Sequence, residues 1–331
     1  MKIAFIFSAA LVFSMAASAQ DRSITFTEGK WDEIVAKATR ENKPIFVDCF
    51  TTWCGPCKWL AKNVFTKNEV ADFFNASFIN VEIDMEKGEG VDLAKKWNVR
   101  AYPSLIFLDA KGELVHRSCG VDYRDDFYKD FIQLGKNAMD PANQFVTIQK
   151  QVESGKADVK TQARYVIMLA AACQGYADEM QKYFATQKDE DLTKPYNWRI
   201  IYGVQNDYAS REIQYMLKHR ADFEKLYTAD SVLNKLEDVY SSALMTSAAD
   251  SVAYSKMKTE VRGSGITDPE KLILRVDMYR FKRAGDWLSY GKSAVTYTDK
   301  YSKDNANELN STAWTFYEHV DNVELLKNAE R

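Results

Sequence analysis

The sequence predicts an α/β domain followed by an all-α region. Two observations carry that division. Between Ser23 and about Met139, short apolar runs rich in β-branched and aromatic residues alternate with segments of helical periodicity. From Asp140 to Arg331 helical periodicity continues with almost no strand signal. A third observation sets the N-terminus apart from both. "MKIAFIFSAALVFSMAASAQ" joins Lys2 to an apolar run and ends in small residues at Ala17 and Ala19. This is the pattern of a secretory signal peptide over residues 1–19, with cleavage expected after Ala19. The run is too short and too serine-interrupted for a membrane span. The mature chain is therefore expected to be exported, periplasmic or beyond, with no membrane span.

Each element of the first domain, residues 20–140, has its own signal. "WDEIVAKATRENK" places Trp31, Ile34, Val35 and Ala38 on one helical stripe. "PIFVDCF" is a short apolar run that reads as a buried strand. The segment "CGPCKW" then opens a helix that continues to about Asn63. "TKNEVADFFN" is another helix, with Thr66 and Glu69 spaced as a capping box. "FINVEID" is a second buried strand and "GVDLAKKWN" a helix. "PSLIFLDAKGELVHRSC" reads as two strands joined at "DAKG", a hairpin. "DYRDDFYKDFIQLG" closes the domain as a helix, with Asp122 and Asp125 at capping positions.

Asp140-Pro141 pairs an N-cap with a first-turn proline and is expected to start the helical domain, residues 141–331. Its segments include "FVTIQKQVE", "QARYVIMLAAACQ", "REIQYMLKHRADFEKLY" and "EKLILRVDMYRFKRAGDW". Residues 280–294 and 315–329 align weakly, matching Phe281 with Phe316, Asp286 with Asp321 and Ala294 with Ala329. The spacing is close to that of tetratricopeptide repeats, so a repeat-like array and an irregular bundle are both open.

Composition excludes some functions. The formal net charge is −3 and no basic block occurs, which argues against nucleic-acid partners. The cysteines are Cys49, Cys54, Cys57, Cys119 and Cys173, too few for a disulfide-stapled scaffold of this length. Cys54 and Cys57 stand three apart behind Trp53 and could be half a zinc site, a structural disulfide or a redox centre. Zinc needs four ligands, and no second pair exists while His116, His219 and His319 are scattered. No metal or cofactor is expected. A structural disulfide closing so small a loop removes little unfolded-state entropy.

The strand–CxxC–helix order gives the pair a chemical task. A strand ending near Phe50 delivers Cys54 to a helix N-terminus, where unpaired N–H groups and the dipole favour a thiolate. Cys57 lies on the same helical face and is expected to be the more buried of the two. Gly55 is expected to permit a tight helix entry, and Pro56 fits the first turn because its missing N–H costs nothing there. Cys54 is then the nucleophile and Cys57 the resolving thiol.

The segment from about Thr25 to Gly135 resembles thioredoxin. "FVDCFTTWCGPCK" is similar to the thioredoxin active-site segment, with Trp53, both cysteines, Gly55, Pro56 and Lys58 in place. "VRAYPSLIFLD" resembles the segment of the family's cis-proline, which would be Pro103, and "GELVHRSCG" resembles the last hairpin strand, ending at Gly120. The spacing between these motifs is more like that of periplasmic thioredoxin-like domains. The resemblance implies a thioredoxin fold, a central mixed sheet flanked by helices. It also implies that Asp48 is a buried acid beneath the disulfide, taking the Cys57 proton during resolution. Two departures stand out: Asn80 replaces a lysine that often partners this acid, and Tyr102 precedes the proline where a smaller residue is usual.

The function these readings predict is an exported thiol–disulfide oxidoreductase that reduces or isomerises protein disulfides. Its partners would be disulfide-containing client proteins and, for a reductase in an oxidising space, a membrane thiol electron donor. The alternative is an interaction scaffold whose thioredoxin domain mainly docks partners. The remaining residues have plainer expectations. Cys49, Cys119 and Cys173 read as buried inert thiols, Trp59 and Trp97 as packing residues, Lys58 as a surface charge and His116 as solvent-facing.

Overall fold

The computed structural model describes residues 22–329, so the expected signal segment lies outside the described residues. Two compact units are present, the first extending to Tyr176 and the second beginning at Ala177. In the first unit the elements are α1 (Trp31–Glu41), β1 (Ile45–Phe50), α2 (Gly55–Asn63), α3 (Asn68–Ser77), β2 (Ile79–Asp84) and α4 (Gly90–Lys96). They continue with β3 (Ser104–Leu108), β4 (Leu114–Cys119), α5 (Phe127–Met139), α6 (Phe145–Glu153) and α7 (Val159–Ala171).

The strands form one mixed sheet in the order β2-β1-β3-β4, with β1 parallel to β2 and antiparallel to β3, and β3 antiparallel to β4. Strand alternation sorts β1 onto two cores. Phe46 joins Leu60, Phe74, Phe107 and Phe131, contributed by α2, α3, β3 and α5. Ile45, Val47 and Cys49 join Ile34, Leu93 and Trp97, from α1, α4 and its end. Full burial of each such apolar side chain contributes about 1.5–3 kcal/mol. The α2 helix therefore lies on the face to which Phe46 and Asp48 point, and that places the site.

The expected helix starts differ in detail. Lys67 is the N-cap of α3 without a side-chain cap, and the Thr66 hydroxyl donates to Lys62 O (2.7 Å) instead. Asp126 precedes α5, while Asp122 accepts from Arg124 (2.6 Å). Asp140-Pro141 does not open a helix. Asp140 Oδ1 accepts the Ala142 N–H (3.0 Å) in a turn, and α6 begins at Phe145. In each case a short acid or hydroxyl finds a nearer partner than the helix end.

The hairpin of α6 and α7 packs on β4, so the sheet's outer strand is covered by helices. Phe145 and Ile148 of α6 meet Tyr165, Leu169 and Ala172 from α7 and its end. This covering corrects the reading of His116, which is buried (5% exposed) and accepts the Phe145 N–H at Nδ1 (3.0 Å). Burial, then the Arg164 charge, pulls its pKa from 6.5 down to about 4. Between those values the unfolded chain binds a proton that the folded chain refuses, so stability falls as pH drops from 6.5 to 4. We expect His116 to account for about 3 kcal/mol of acid destabilisation below pH 4. Unfolding at pH 7 and pH 4 of the parent and of His116→Gln, which retains an acceptor, checks this: equal acid losses in both would refute it.

Helices joined by short connections make up the described part of the second unit: α8 (Ala177–Ala185), a 3-10 helix at Asp189–Thr193, α9 (Pro195–Gly203), α10 (Arg211–Lys218), α11 (Arg220–Tyr227) and α12 (Ala229–Ser247). It ends with α13 (Ser251–Gly263), α14 (Pro269–Ala284), α15 (Trp287–Tyr301), α16 (Ala306–His319) and α17 (Val323–Ala329). The stretch "REIQYMLKHRADFEKLY" is two helices broken at His219, whose ring stacks on Tyr215 (4.2 Å). Both weakly matching segments span a helix end, a short turn and a new helix. Gly285 (φ 68°) closes α14 in the left-handed region, and Asp286 caps α15 by accepting the Ser289 N–H (3.1 Å). The Asn322 side chain caps α17 by accepting the Leu325 N–H (3.0 Å).

Candidate active site

Strand β1 is buried to Cys49 and half-buried at Phe50, and the chain then turns sharply, with the Cys54 N–H donating to Thr51 O (3.1 Å). Cys54 is the N-cap of α2 (φ −70°, ψ 106°), Pro56 sits in the first turn, and the Cys57 N–H donates to Cys54 Sγ (3.1 Å). A sulfur thus occupies the place where a Ser or Asp oxygen normally satisfies a helix's free N–H groups. Cys54 and Cys57 form a disulfide, their Cα atoms 5.3 Å apart. Burial does not rank the two as expected: Cys54 is 2% exposed and Cys57 5%. Their asymmetry lies instead in position, one at the cap and one inside the first turn. A Cβ at Gly55 would meet nothing within 4 Å, so helix entry does not demand glycine there. Lys58 is exposed, as expected.

The rim of the site is aromatic and acidic. Trp53 is 65% exposed, sits edge-on to the Tyr102 ring (centroids 5.9 Å apart), and donates its indole N–H to the Glu86 carboxylate (3.0 Å). The Tyr102–Pro103 peptide is cis, and Pro103 O accepts the Gly120 N–H (2.9 Å). Gly120 has φ 76°, a conformation that favours glycine. Trp59 packs edge-on to Tyr123 (5.0 Å), and Trp97 is buried against Trp31, both as packing residues.

Asp48 is buried (3% exposed) on the α2 side of the sheet, and its Oδ1 has no hydrogen-bond partner among the described residues. Burial, reinforced by the Glu82 charge, pushes its pKa from 3.8 up to about 8. Glu82 is its register partner on β2, and Leu105 its partner on β3. Asn80, at the position where the resemblance led to a lysine, is in register with Phe46 and donates to Phe74 O (3.3 Å). Sequence reasoning did not single out Glu82 or Glu86. Period-two alternation in "INVEID", with Val81 and Ile83 in the opposite core, could have put Glu82 on the face of Asp48.

Cys119 and Cys173 are not inert thiols: they form a second disulfide, with Cα atoms 5.9 Å apart. Cys173 has φ 51°, and the Cys173 and Gln174 N–H groups donate to Ala170 O (3.0 Å) and Leu169 O (2.9 Å). That pattern ends helices at a left-handed residue, usually glycine. Beside the disulfide, Ser118 Oγ donates to Ala171 O (3.1 Å) and the Asn98 amide to Gln174 Oε1 (2.8 Å). Cys49 is the free, buried cysteine among the described residues, and burial pushes its thiol well above the usual range. Among those residues no group of His, Cys, Asp or Glu is placed to hold a metal ion, and no helix is long and apolar enough to cross a membrane.

Comparison with known proteins gives a consistent picture of the first unit. The family model described as Thioredoxin matches residues 22–133. Thioredoxin H2-1 of Oryza sativa subsp. japonica is 33% identical over 103 residues, 31% of this chain and 69% of its own. Thioredoxin H4 of Arabidopsis thaliana is 33% identical over 99 residues, 30% of this chain and 78% of its own. A solution structure of a candidate disulphide-isomerase from Bacteroides thetaiotaomicron shares 50% identity, covering 34% of this chain and 93% of its own, with a TM-score of 0.31.

Proposed function

The chain belongs to the thioredoxin family, with residues 22–133 carrying the match, and from that premise we propose that it reduces or isomerises disulfides in exported proteins. The observation that carries the reading is the Cys54–Cys57 disulfide placed across the N-cap and first turn of α2. In the reduced protein, the Cys54 thiolate attacks one sulfur of a client disulfide, and the other client sulfur leaves as a thiolate that takes a proton from water. Cys57 then loses its proton to Asp48 and attacks Cys54 Sγ. The Cys54–client bond breaks, the client leaves reduced, and the Cys54–Cys57 bond re-forms. Tyr102, Pro103 and Trp53 frame the approach to Cys54. Isomerisation is the same attack, ended by another client thiol instead of Cys57.

Direction follows from potential, with roughly 30 mV for each tenfold in equilibrium. A thiol donor at the membrane would keep the pair reduced in an oxidising space. Export is supported by the signal-like residues 1–19 and by the Cys119–Cys173 disulfide, since such bonds persist in oxidising compartments. We assign client selection to the helical region after Asp140, because every residue given a chemical role lies between Asp48 and Pro103.

The test is the pH dependence of Cys54 alkylation in the reduced protein, read beside insulin reduction. The expected result is a midpoint well below the ~8.5 of a free cysteine for Cys54 but not for Cys57, together with insulin reduction that Cys54→Ser abolishes. A midpoint like that of a free thiol, or insulin reduction that survives Cys54→Ser, would sink the mechanism.

A further inference from the structure

The residue set directly across from Asp48 on β2 is a second acid, Glu82. Asp48 and Glu82 are paired across β1 and β2, and residues paired in this way lie on one face of a sheet, about 4.8 Å apart between strands. Asp48 is sealed in the core with an unpartnered Oδ1, whereas Glu82 is exposed. Glu82 lines a cleft of about 350 Å³ along the β2 edge with Glu28, Asp84, Lys87 and Glu89. Lys87 is engaged there by Asp84 (2.8 Å), so it does not neutralise Glu82.

We propose that Glu82 is a positioning residue for the resolution step: its carboxylate, across the sheet from Asp48, governs when Asp48 can take the Cys57 proton. The inference rests on Asp48 being the proton acceptor. The position where the thioredoxin resemblance implied a lysine holds the neutral Asn80, and the residue directly across from Asp48 is an anion, Glu82. A cation there would favour ionised Asp48 and make the base available at low pH. Glu82 does the reverse, and its own proton affinity is raised by partial desolvation against the sheet and then by Glu28. Resolution in this protein should therefore be favoured on the alkaline side of neutrality.

In chemical terms, resolution breaks the Cys54–client bond and forms the Cys54–Cys57 bond, and the Cys57 proton goes to Asp48. Before the next cycle Asp48 must lose that proton to water. No oxidant or reductant beyond the client disulfide and the dithiol is involved.

The experiment follows release of thionitrobenzoate from its mixed disulfide with Cys54 in the full chain, between pH 5 and 10. Asp48→Asn defines the part of the profile that belongs to Asp48. Glu82 is then changed in a series, to Asp, Gln and Lys, at an exposed position where folding should be retained. The midpoint is expected to stay near the parent's in Glu82→Asp, to fall in Glu82→Gln and to fall further in Glu82→Lys. With Asp48 ionising at about 8, roughly a tenth of it is available at pH 7, so the gain in rate at pH 7 approaches but does not exceed about tenfold. Unmoved midpoints in the Gln and Lys variants, with Asp48→Asn still removing the titration, would overturn the role of Glu82 alone. A profile that Asp48→Asn leaves unchanged would overturn both that role and the assignment of Asp48.

Discussion

Asp48→Asn is expected to make the protein more stable at pH 7, by roughly 4 kcal/mol, while slowing resolution of the mixed disulfide at least tenfold. Both effects come from one burial. The folded pKa of Asp48, about 8, lies above its ordinary 3.8, so the folded chain holds a proton that the unfolded chain has released. Stability from this group is whole below pH 3.8 and is lost progressively as pH rises through 8. Asparagine has nearly the same shape and no carboxyl to ionise, so its advantage should widen from pH 4 to pH 8. The kinetic cost follows because the amide accepts no proton from Cys57. Denaturant unfolding at pH 4, 7 and 8 checks the first half, and thionitrobenzoate release the second. A variant less stable than the parent at pH 8 would mean that Asp48 is solvated or paired in the native protein.

The double change Cys119→Ser and Cys173→Ser should cost the first unit about 4 kcal/mol, because the bond closes a loop with a sequence separation of 54 in the unfolded chain. Without the bond, the α6–α7 hairpin is still tied to the sheet domain by the Ser118–Ala171, Asn98–Gln174 and Phe145–His116 hydrogen bonds. Urea unfolding of the oxidised parent and the double variant measures the difference. A loss below 1 kcal/mol would show that these contacts suffice and that the disulfide constrains little.

The chemistry-bearing core of the molecule was legible because its signals are local. The apolar run before Cys54, the proline in the first turn and the helical stripe after it all act within a few residues, and they fix a strand, a turn and a helix start. The alternation of strand and helix to Met139, and helices thereafter, followed in the same way from period and turn chemistry. What the tertiary structure decided are the contacts between residues far apart in the chain. Asp48 meets Glu82 only because the parallel register of β1 and β2 puts them side by side, and register is a property of the packed sheet. His116 is neutral and buried, and Cys119 finds Cys173, because α6 and α7 fold back over the β4 edge. Periodicity marks those helices but does not say where they dock. The caps were decided locally instead: Thr66, Asp122 and Asp140 carry cap-like side chains, and each is claimed by a donor or acceptor two to four residues away, a competition that residue type and spacing do not resolve.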